Sequence, residues 1–439
     1  MLLIFSNLFL IFNSCVLGKG KKYWGSILLL FIFFFLLLKW ENIIYTVMFY
    51  SDLWSNMMYL LSIWSLLVMC LSGLNYLWKV DFLYILFIIM LLVLMFCFFS
   101  VNLFIFFFFM ESMVLPVFFL MGRFGVYKMR WEASIYFFFF SVMFSVPLLM
   151  LIISSGLINF NFYSIYYMNM EMDLQYLTKV IYFSGIMGFL SKFPMFFLHI
   201  WLPRAHVEAP LTGSIILAAV LLKLGGFGMY RFLPFAWSFQ VDFIMIFFIW
   251  GGICLSFFCM FQMDMKSLVA YSSVVHMSLI LVGMMTLYNW SMIGALIIMM
   301  SHGIVSSMLF YLSYVSYEFF NSRSLVYSFN LKIMFSLMFF WWFIVLLFNI
   351  GFPPLLSFMG EMVLLLNCIS YNNYFLFMMV FFMMISIVYT FFLFQMSQFF
   401  RVDVKKFISV FYLSLNSKHL ISYLHFMFIL GLMFFFWWC

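Results

Sequence analysis

Six ionisable side chains lie near the middle of long apolar segments of this 439-residue sequence. They are two carboxylic acids, two lysines and two histidines: Glu111, Lys192, Lys223, His276, His302 and Glu361. All three residue types can bind and release a proton. Burial away from water disfavours their charged forms, so a change in a neighbouring charge can load or unload a proton. The row is therefore a candidate path for protons.

Ionised groups are costly in hydrocarbon, at roughly 2.5 to 3.5 kcal/mol each near the bilayer centre on an insertion scale. Single members of the row still have structural interpretations. Glu111 and Lys192 could form a purely structural ion pair, and either histidine could be satisfied by a neighbouring carbonyl in the core. Lys223 and Glu361 have no evident permanent partner in the sequence. The row as a whole favours proton transfer.

The composition identifies the surroundings of these groups. Hydrophobic residues make up 69% of the chain and charged residues only 8%, whereas about 25% charged residues is usual in soluble domains. Nearly every apolar run lacks a polar face, which predicts an all-α polytopic membrane protein. The sequence has no nucleotide-binding loop and no haem attachment motif, and its cysteines are scattered singly. We therefore expect this chain to bind no cofactor and no metal.

Polar or turn-rich breaks divide the sequence into fourteen predicted transmembrane segments. They lie near residues 1–17, 24–39, 56–76, 82–99, 101–121, 134–156, 179–202, 210–233, 242–262, 267–287, 289–316, 333–370, 374–399 and 420–437. Of the 20 lysines and arginines, only Lys39, Lys179 and Arg231 then fall in even-numbered connections, and Lys192 and Lys223 lie inside segments. The others are in odd-numbered connections. This asymmetry predicts that basic loops face one side and both termini the other.

Two of the segments contain prolines close to a member of the row. Pro194 follows Lys192 in the seventh segment, and Pro353 with Pro354 precedes Glu361 in the twelfth. Since proline interrupts a helix, both helices should be discontinuous there. They are five crossings apart, so segments four to eight and nine to thirteen would be inverted five-helix repeats, as in transporters.

The predicted organisation has four parts. Residues 1–80 would form helices one to three, 81–233 the first repeat, 242–400 the second repeat, and 401–439 a basic loop and the last helix. His199, Arg204 and His206 lie toward the basic face, where we favour interfacial anchors over wetted groups that take up protons.

Four stretches carry a family resemblance. "HIWLPRAHVEAPLTGSIILAAVLLKLGGFGMYR", "DMKSLVAYSSVVHMS", "MMSHGIVSSMLF" and "PPLLSFMGEM" closely resemble motifs of the antiporter-like membrane subunits of respiratory complex I, the mitochondrial NADH:ubiquinone oxidoreductase. The likeness runs from about residue 101 to 400. The acidic Glu361 and the "HVEAP" run favour subunit 4 over the similar subunits 2 and 5, which usually carry lysine in place of Glu361.

The resemblance implies roles for the row. Glu111 and Lys192 match the family's paired glutamate and broken-helix lysine, Lys223 its central lysine and Glu361 its terminal acid. His276 and His302 match histidines on the connecting path. The chain would then be a proton-translocating subunit of a redox enzyme, without a redox centre of its own. NADH, FMN, iron-sulfur clusters and ubiquinone would be bound by partner subunits.

The resemblance also implies surroundings. It places the chain in the mitochondrial inner membrane, with basic loops facing the matrix and both termini facing the intermembrane space. Subunits 2 and 5 and lipids would be its neighbours, and nucleic acid would not. Two alternatives stay open at this point: a subunit of a sodium/proton antiporter, which would use the same row, and a structural membrane spacer whose charges only fix helix packing.

Overall fold

The computed structural model describes residues 50–73, 80–125, 128–159, 177–233, 241–325, 336–398 and 412–438. Over these ranges the regular structure is helical, apart from isolated bridging residues such as Asp264 and Ser324. The predicted all-α class is confirmed for this part of the chain. The first two predicted segments, 1–17 and 24–39, lie outside the described residues.

The helices follow the predicted segments closely. In chain order they are α1 Leu53–Gly73, α2 Val80–Phe99, α3 Leu103–Ser112, α4 Val114–Phe124, α5 Arg130–Asn159, α6 Leu177–Lys192, α7 Trp201–Glu208, α8 Leu211–Ile216, α9 Leu222–Phe232, α10 Val241–Phe261, α11 Met265–Met285, α12 Asn289–Phe320, α13 Ser336–Ile350, α14 Leu356–Tyr371, α15 Tyr374–Gln398 and α16 Tyr412–Trp438. A π-helical turn, Leu217–Leu221, joins α8 to α9. Each of the twelve predicted segments from 56–76 onward overlaps at least one of these helices.

Length and composition make most of these helices candidate membrane spans. Ten helical stretches among the described residues are long and apolar enough to cross a bilayer, with α3 and α4 taken together as 103–124, and 337–350 and 356–371 are shorter apolar helices. Three predicted segments are interrupted. The fifth segment changes from α3 to α4 at Met113, because Pro116 has no N–H to donate to the carbonyl of Ser112.

Contacts divide the described chain into two compact units. The first unit consists of the described residues up to Phe193 together with 208–233, and the second consists of Pro194–Val207 and the described residues from 241 onward. The finer division into an N-terminal group, two inverted repeats and a basic tail stays a prediction.

One charge assigned to a loop lies inside the first unit instead. Arg231, in the last turn of α9, is 4% exposed. Its guanidinium donates to the carbonyl oxygens of Ser100 at 2.6 Å and Phe98 at 3.0 Å, and its central carbon lies 4.4 Å from the ring centroid of Phe227. The last carbonyls of α2 have no partner within the helix, so they need a donor from elsewhere. Counting Arg231 as a loop charge was therefore wrong.

A second charge of this kind is found in the second unit. Lys418, also counted among the loop charges, is buried in α16 and pairs with Glu318 of α12, Nζ to Oε2, at 2.6 Å. Lys266, in the first turn of α11, is buried as well, so the odd-numbered connections lose two charges and the even-numbered connections lose one. The orientation of the loops and termini stays a prediction.

We predict that Arg231→Met destabilises the first unit. The substitution retains the length of the side chain but leaves the buried carbonyls of Phe98 and Ser100 without a charged donor, at a cost of roughly 3 kcal/mol. Graded heating of detergent-extracted membranes, followed by a native gel, should show the variant chain leaving its assembly at a lower temperature.

Arg123→Met is the matched control. Arg123 also lies over an aromatic ring, that of Phe82 at 4.6 Å, but it is exposed, so its loss should cost less than about 1 kcal/mol. Equal heat sensitivity of the two variants would contradict the role given to Arg231.

Candidate proton-transfer site

The first pair of predicted residues is in direct contact. The Nζ of Lys192 donates to Oε1 of Glu111, and the same ammonium lies 3.5 Å from the carbonyl oxygen of Met110. Glu111 is in the last turn of α3 and Lys192 is the last residue of α6. An ammonium is favourable at a helix C-terminus because it faces the unpaired carbonyl groups. The two helix ends therefore meet through opposite charges.

Proline and a left-handed residue account for the end of α6. Pro194 has no N–H to continue the helix, and regular helix resumes only at Trp201. Phe197, within the break, has φ of 72°, which is uncommon for a residue with a bulky side chain. The predicted discontinuity beside Lys192 is confirmed.

Lys223 lies in the same unit, in the first turn of α9, and is completely buried. Its Nζ donates to the carbonyl oxygen of Ala218 in the π-helical turn. Such a turn places one extra residue in the helix and is frequent at functional sites. The local backbone thus supplies a hydrogen-bond acceptor for Lys223. This acceptor could not be predicted from the sequence.

A glycine allows α9 to approach the broken end of α6. A Cβ on Gly225 would lie 2.6 Å from the backbone nitrogen of Phe193 and 3.0 Å from the carbonyl carbon of Lys192. Only hydrogen fits at this position without moving the backbone. The glycine therefore determines how closely the helix of Lys223 packs on the end of the helix that holds Lys192.

The other three predicted residues form a cluster in the second unit. Nδ1 of His276 in α11 lies 4.0 Å from Oε1 of Glu361 in α14. The ring centroids of His276 and of His302 in α12 are 5.4 Å apart. All three side chains are buried. An acid and two imidazoles within this distance can exchange protons after small rotations of their side chains.

The break before Glu361 is also organised around a glycine. Gly351 follows α13 and has φ of 74°, a conformation that glycine adopts without penalty. The Glu361 carboxyl lies directly against its Cα, where a side chain would otherwise project. The Ser357 hydroxyl in α14 donates to the Phe348 carbonyl in α13 at 2.6 Å, so one orphan carbonyl at the break is satisfied. The predicted discontinuity near Glu361 is confirmed.

A family described as NADH:quinone oxidoreductase/Mrp antiporter, transmembrane, matches residues 100–387. The chain belongs to this family.

Individual relatives agree with that membership. NADH-ubiquinone oxidoreductase chain 4 of Locusta migratoria is 40% identical over 308 residues, which cover 69% of this chain and 68% of the relative. The protein of the same name from Ceratitis capitata is 35% identical over 411 residues, 89% of each chain. The resemblance to subunit 4 is thereby confirmed.

A solved structure confirms the fold. A chain of respiratory complex I from Thermus thermophilus with bound NADH superposes with a TM-score of 0.81 at 18% identity, over 96% of this chain and 94% of that chain. At this identity the likeness concerns the fold alone.

The structure of this family member brings the six predicted residues together in part. Glu111 and Lys192 are paired in one unit, which also contains Lys223. His276, His302 and Glu361 form the cluster in the other unit. The proton-transfer role of each residue stays a prediction.

Two features were missed or misjudged in the sequence. The Tyr389 hydroxyl of α15 lies 3.4 Å from Nε2 of His276, although a tyrosine in an aromatic-rich segment gives no signal of its own. His206, interpreted as an interfacial group, is completely buried, and its ring stacks on Phe310 with centroids 4.5 Å apart. The anchor interpretation was therefore wrong for His206, whereas for the exposed Arg204 it stays a prediction.

We predict that Gly225→Ala weakens the first unit and disturbs the Glu111–Lys192 pair. The new methyl group would contact backbone atoms of Phe193, which cannot rotate away, so about 1 to 3 kcal/mol should be lost. The amount of chain that remains in its assembly after graded heating measures this loss.

Gly431→Ala serves as the comparison, because a Cβ at Gly431 in α16 has open space within 4 Å. It should be neutral or slightly stabilising, since alanine favours a helix more than glycine does. If both substitutions behaved alike, the close approach at Gly225 would not control the pair.

Proposed function

We propose that this chain is a proton-translocating membrane subunit of respiratory complex I in the mitochondrial inner membrane. NADH oxidation and ubiquinone reduction take place in other subunits, and this chain moves protons when those reactions change its charges. The single observation that supports the mechanism best is the contact between Lys192 and Glu111 at two interrupted helix ends.

The ion pair acts as the gate. Glu111 stabilises the protonated form of Lys192 as long as the two groups are in contact. When a neighbouring subunit changes the charge near Glu111, the ammonium loses that stabilisation and releases its proton. We assign Lys223 as the next acceptor in this unit, because it is completely buried in α9 and its Nζ lies on the backbone carbonyl of Ala218.

The histidine cluster receives and delivers the proton. His276 has two ring nitrogens, and its Nδ1 faces Glu361. A histidine can take a proton on one nitrogen while it gives one from the other. Glu361 is the last group of the row, so we assign release on the charge-poor side of the membrane to it.

The energies involved are compatible. Moving one charge across a membrane requires about 2.3 kcal/mol per 100 mV. Removing one partner of a buried ion pair costs about 3 to 5 kcal/mol. One separation of Lys192 from Glu111 can therefore drive one proton step against a potential of this order.

The partners follow from the same proposal. We assign subunits 2 and 5 of the complex as neighbours within the membrane and the basic loops to the matrix side, from which Lys192 is protonated. The chain itself holds no redox centre in this proposal, so energy reaches it through changes in contact and charge.

A second candidate function is sodium/proton exchange. The family that matches residues 100–387 includes Mrp antiporters by its description, and the same row of residues would serve either function. The two candidates differ in what drives the flux, because an exchanger requires sodium and does not require NADH.

We predict that Lys192→Ala uncouples electron transfer from proton movement. Without the amine, the proton step at this residue should slow by at least about 100-fold, as is typical when a positioned acid or base is removed. Protons translocated per NADH oxidised, measured in sealed membrane vesicles, should fall.

Lys128→Ala provides the control, because Lys128 is exposed and lies outside the row. It should pump as the unmodified chain does. Retention of the original stoichiometry in Lys192→Ala would refute the role assigned to that lysine.

We further predict that proton movement through the complex requires NADH and is insensitive to sodium. The measurement is the pH change in vesicles with NADH present or absent, each in sodium-containing and sodium-free buffer. Flux that needs sodium and continues without NADH would instead favour the exchanger.

A further inference from the structure

A tyrosine of α15, Tyr389, contacts the histidine cluster. The Tyr389 hydroxyl oxygen lies 3.4 Å from Nε2 of His276, and Tyr389 is 1% exposed. The other ring nitrogen, Nδ1, lies 4.0 Å from Glu361. The two polar groups thus address different nitrogens of the same imidazole.

The position of Tyr389 is fixed by packing. Phe382, two turns earlier on α15, lies against Gly252 of α10 so closely that no Cβ would fit there. Thr390, the residue after Tyr389, donates back to the Ile387 carbonyl at 2.8 Å. The Phe382 contact therefore sets the spacing of α15 and α10 two turns before Tyr389, which limits movement of the helix that carries the hydroxyl.

We propose that Tyr389 is a positioning residue that fixes the orientation and tautomer of His276 for proton delivery to Glu361. This inference rests on the proposed function. A hydroxyl that donates to Nε2 requires a lone pair on that nitrogen, so the neutral ring carries its proton on Nδ1. That nitrogen is the one that faces Glu361. The proton is thus held on the side from which it must leave.

The proton balance of one step is simple. The proton that Lys192 releases in the proposed function reaches Nε2 as the Nδ1 proton passes to the Glu361 carboxylate, so the ring stays neutral and Glu361 becomes a neutral acid. The ring then carries its proton on Nε2, and the tyrosine oxygen changes from donor to acceptor. A hydroxyl can serve both states because its hydrogen rotates. Phenylalanine can serve neither.

Tyr389→Phe tests the inference, because it removes the hydroxyl and keeps the ring. In the assembled complex we expect the proton step at His276 to slow about fivefold, the effect of one ordinary hydrogen bond. The readout is protons translocated per NADH oxidised, together with the amount of assembled complex on a native gel. A purely structural hydroxyl would change the amount of complex and leave the ratio unchanged, which would overturn the inference.

Tyr311→Phe is the matched control. Tyr311 is also buried in the second unit, and its hydroxyl donates to the Lys418 carbonyl at 3.1 Å. It should retain the ratio of the unmodified complex. A fall in the ratio as large as that of Tyr389→Phe would show that any buried hydroxyl matters equally, and would overturn the inference.

His276→Gln separates the inference from the proposed function. If Tyr389 acts through His276, Tyr389→Phe should have no further effect on the ratio once His276 is replaced. Additive effects would overturn the inference. An unchanged ratio in His276→Gln alone would instead refute the proposed function of the cluster.

A second pair of variants covers a failure of Tyr389→Phe to assemble. Glutamine and methionine are similar in length, but only glutamine can hydrogen-bond to His276. Tyr389→Gln should therefore give a higher ratio of protons to NADH than Tyr389→Met. Equal ratios in the two variants would overturn the inference.

Discussion

Both groups of titratable residues depend on one constraint: the carbonyl groups at a helix end that lies among apolar side chains must find hydrogen-bond donors. A helix end leaves carbonyl groups without partners, and these cannot be left unsatisfied away from water. Lys192 supplies charge at the end of α6 and Ser357 supplies a hydroxyl to the end of α13. Thus the helix ends at which backbone carbonyls need hydrogen-bond donors are also the places where the apolar surroundings can accommodate ionisable side chains. At these breaks the groups of the proposed function coincide with donors to the helix ends.

The approach of helices to these breaks depends on glycine. Gly225 admits the backbone of Phe193, and Gly351 admits the carboxyl of Glu361. A Cβ on Gly360, next to Glu361, would lie 3.2 Å from the carbonyl oxygen of Gly294 in α12. Small residues let helix backbones approach closely in a membrane, where packing rather than hydrophobicity drives association. In the proposed mechanism the charged residues carry out the chemistry, and these glycines allow the helices that hold them to approach closely.

The sequence predicted what depends on local chemistry and missed what depends on the partner of a side chain. The breaks at Pro194 and at Pro353 could be predicted because proline removes a hydrogen-bond donor from its own helix. Arg231 was misplaced because its acceptors lie more than 130 positions away, at Phe98 and Ser100. Tyr389 could not be distinguished from the many other aromatic residues, since only its distance to His276 marks it. Likewise, no residue type in this stretch predicted the π-helical turn before Lys223.

The two groups of residues differ in how they can hold charge, and this difference suggests their order. Glu111 and Lys192 are of opposite sign and in contact, so the pair has no net charge when both groups are ionised. Each charge stabilises the other, so a proton is retained until the two groups separate. The side chains of His276, His302 and Glu361 include no lysine or arginine, so one added proton can be shared among three titratable sites. An ion pair that holds both partners ionised is suited to control by an external charge. A cluster of three titratable groups is suited to taking up and releasing a proton. Proton movement from the Glu111–Lys192 pair to the cluster therefore agrees with the electrostatics of both groups. Movement in the reverse direction would require the ion pair to accept a proton while both of its partners are ionised.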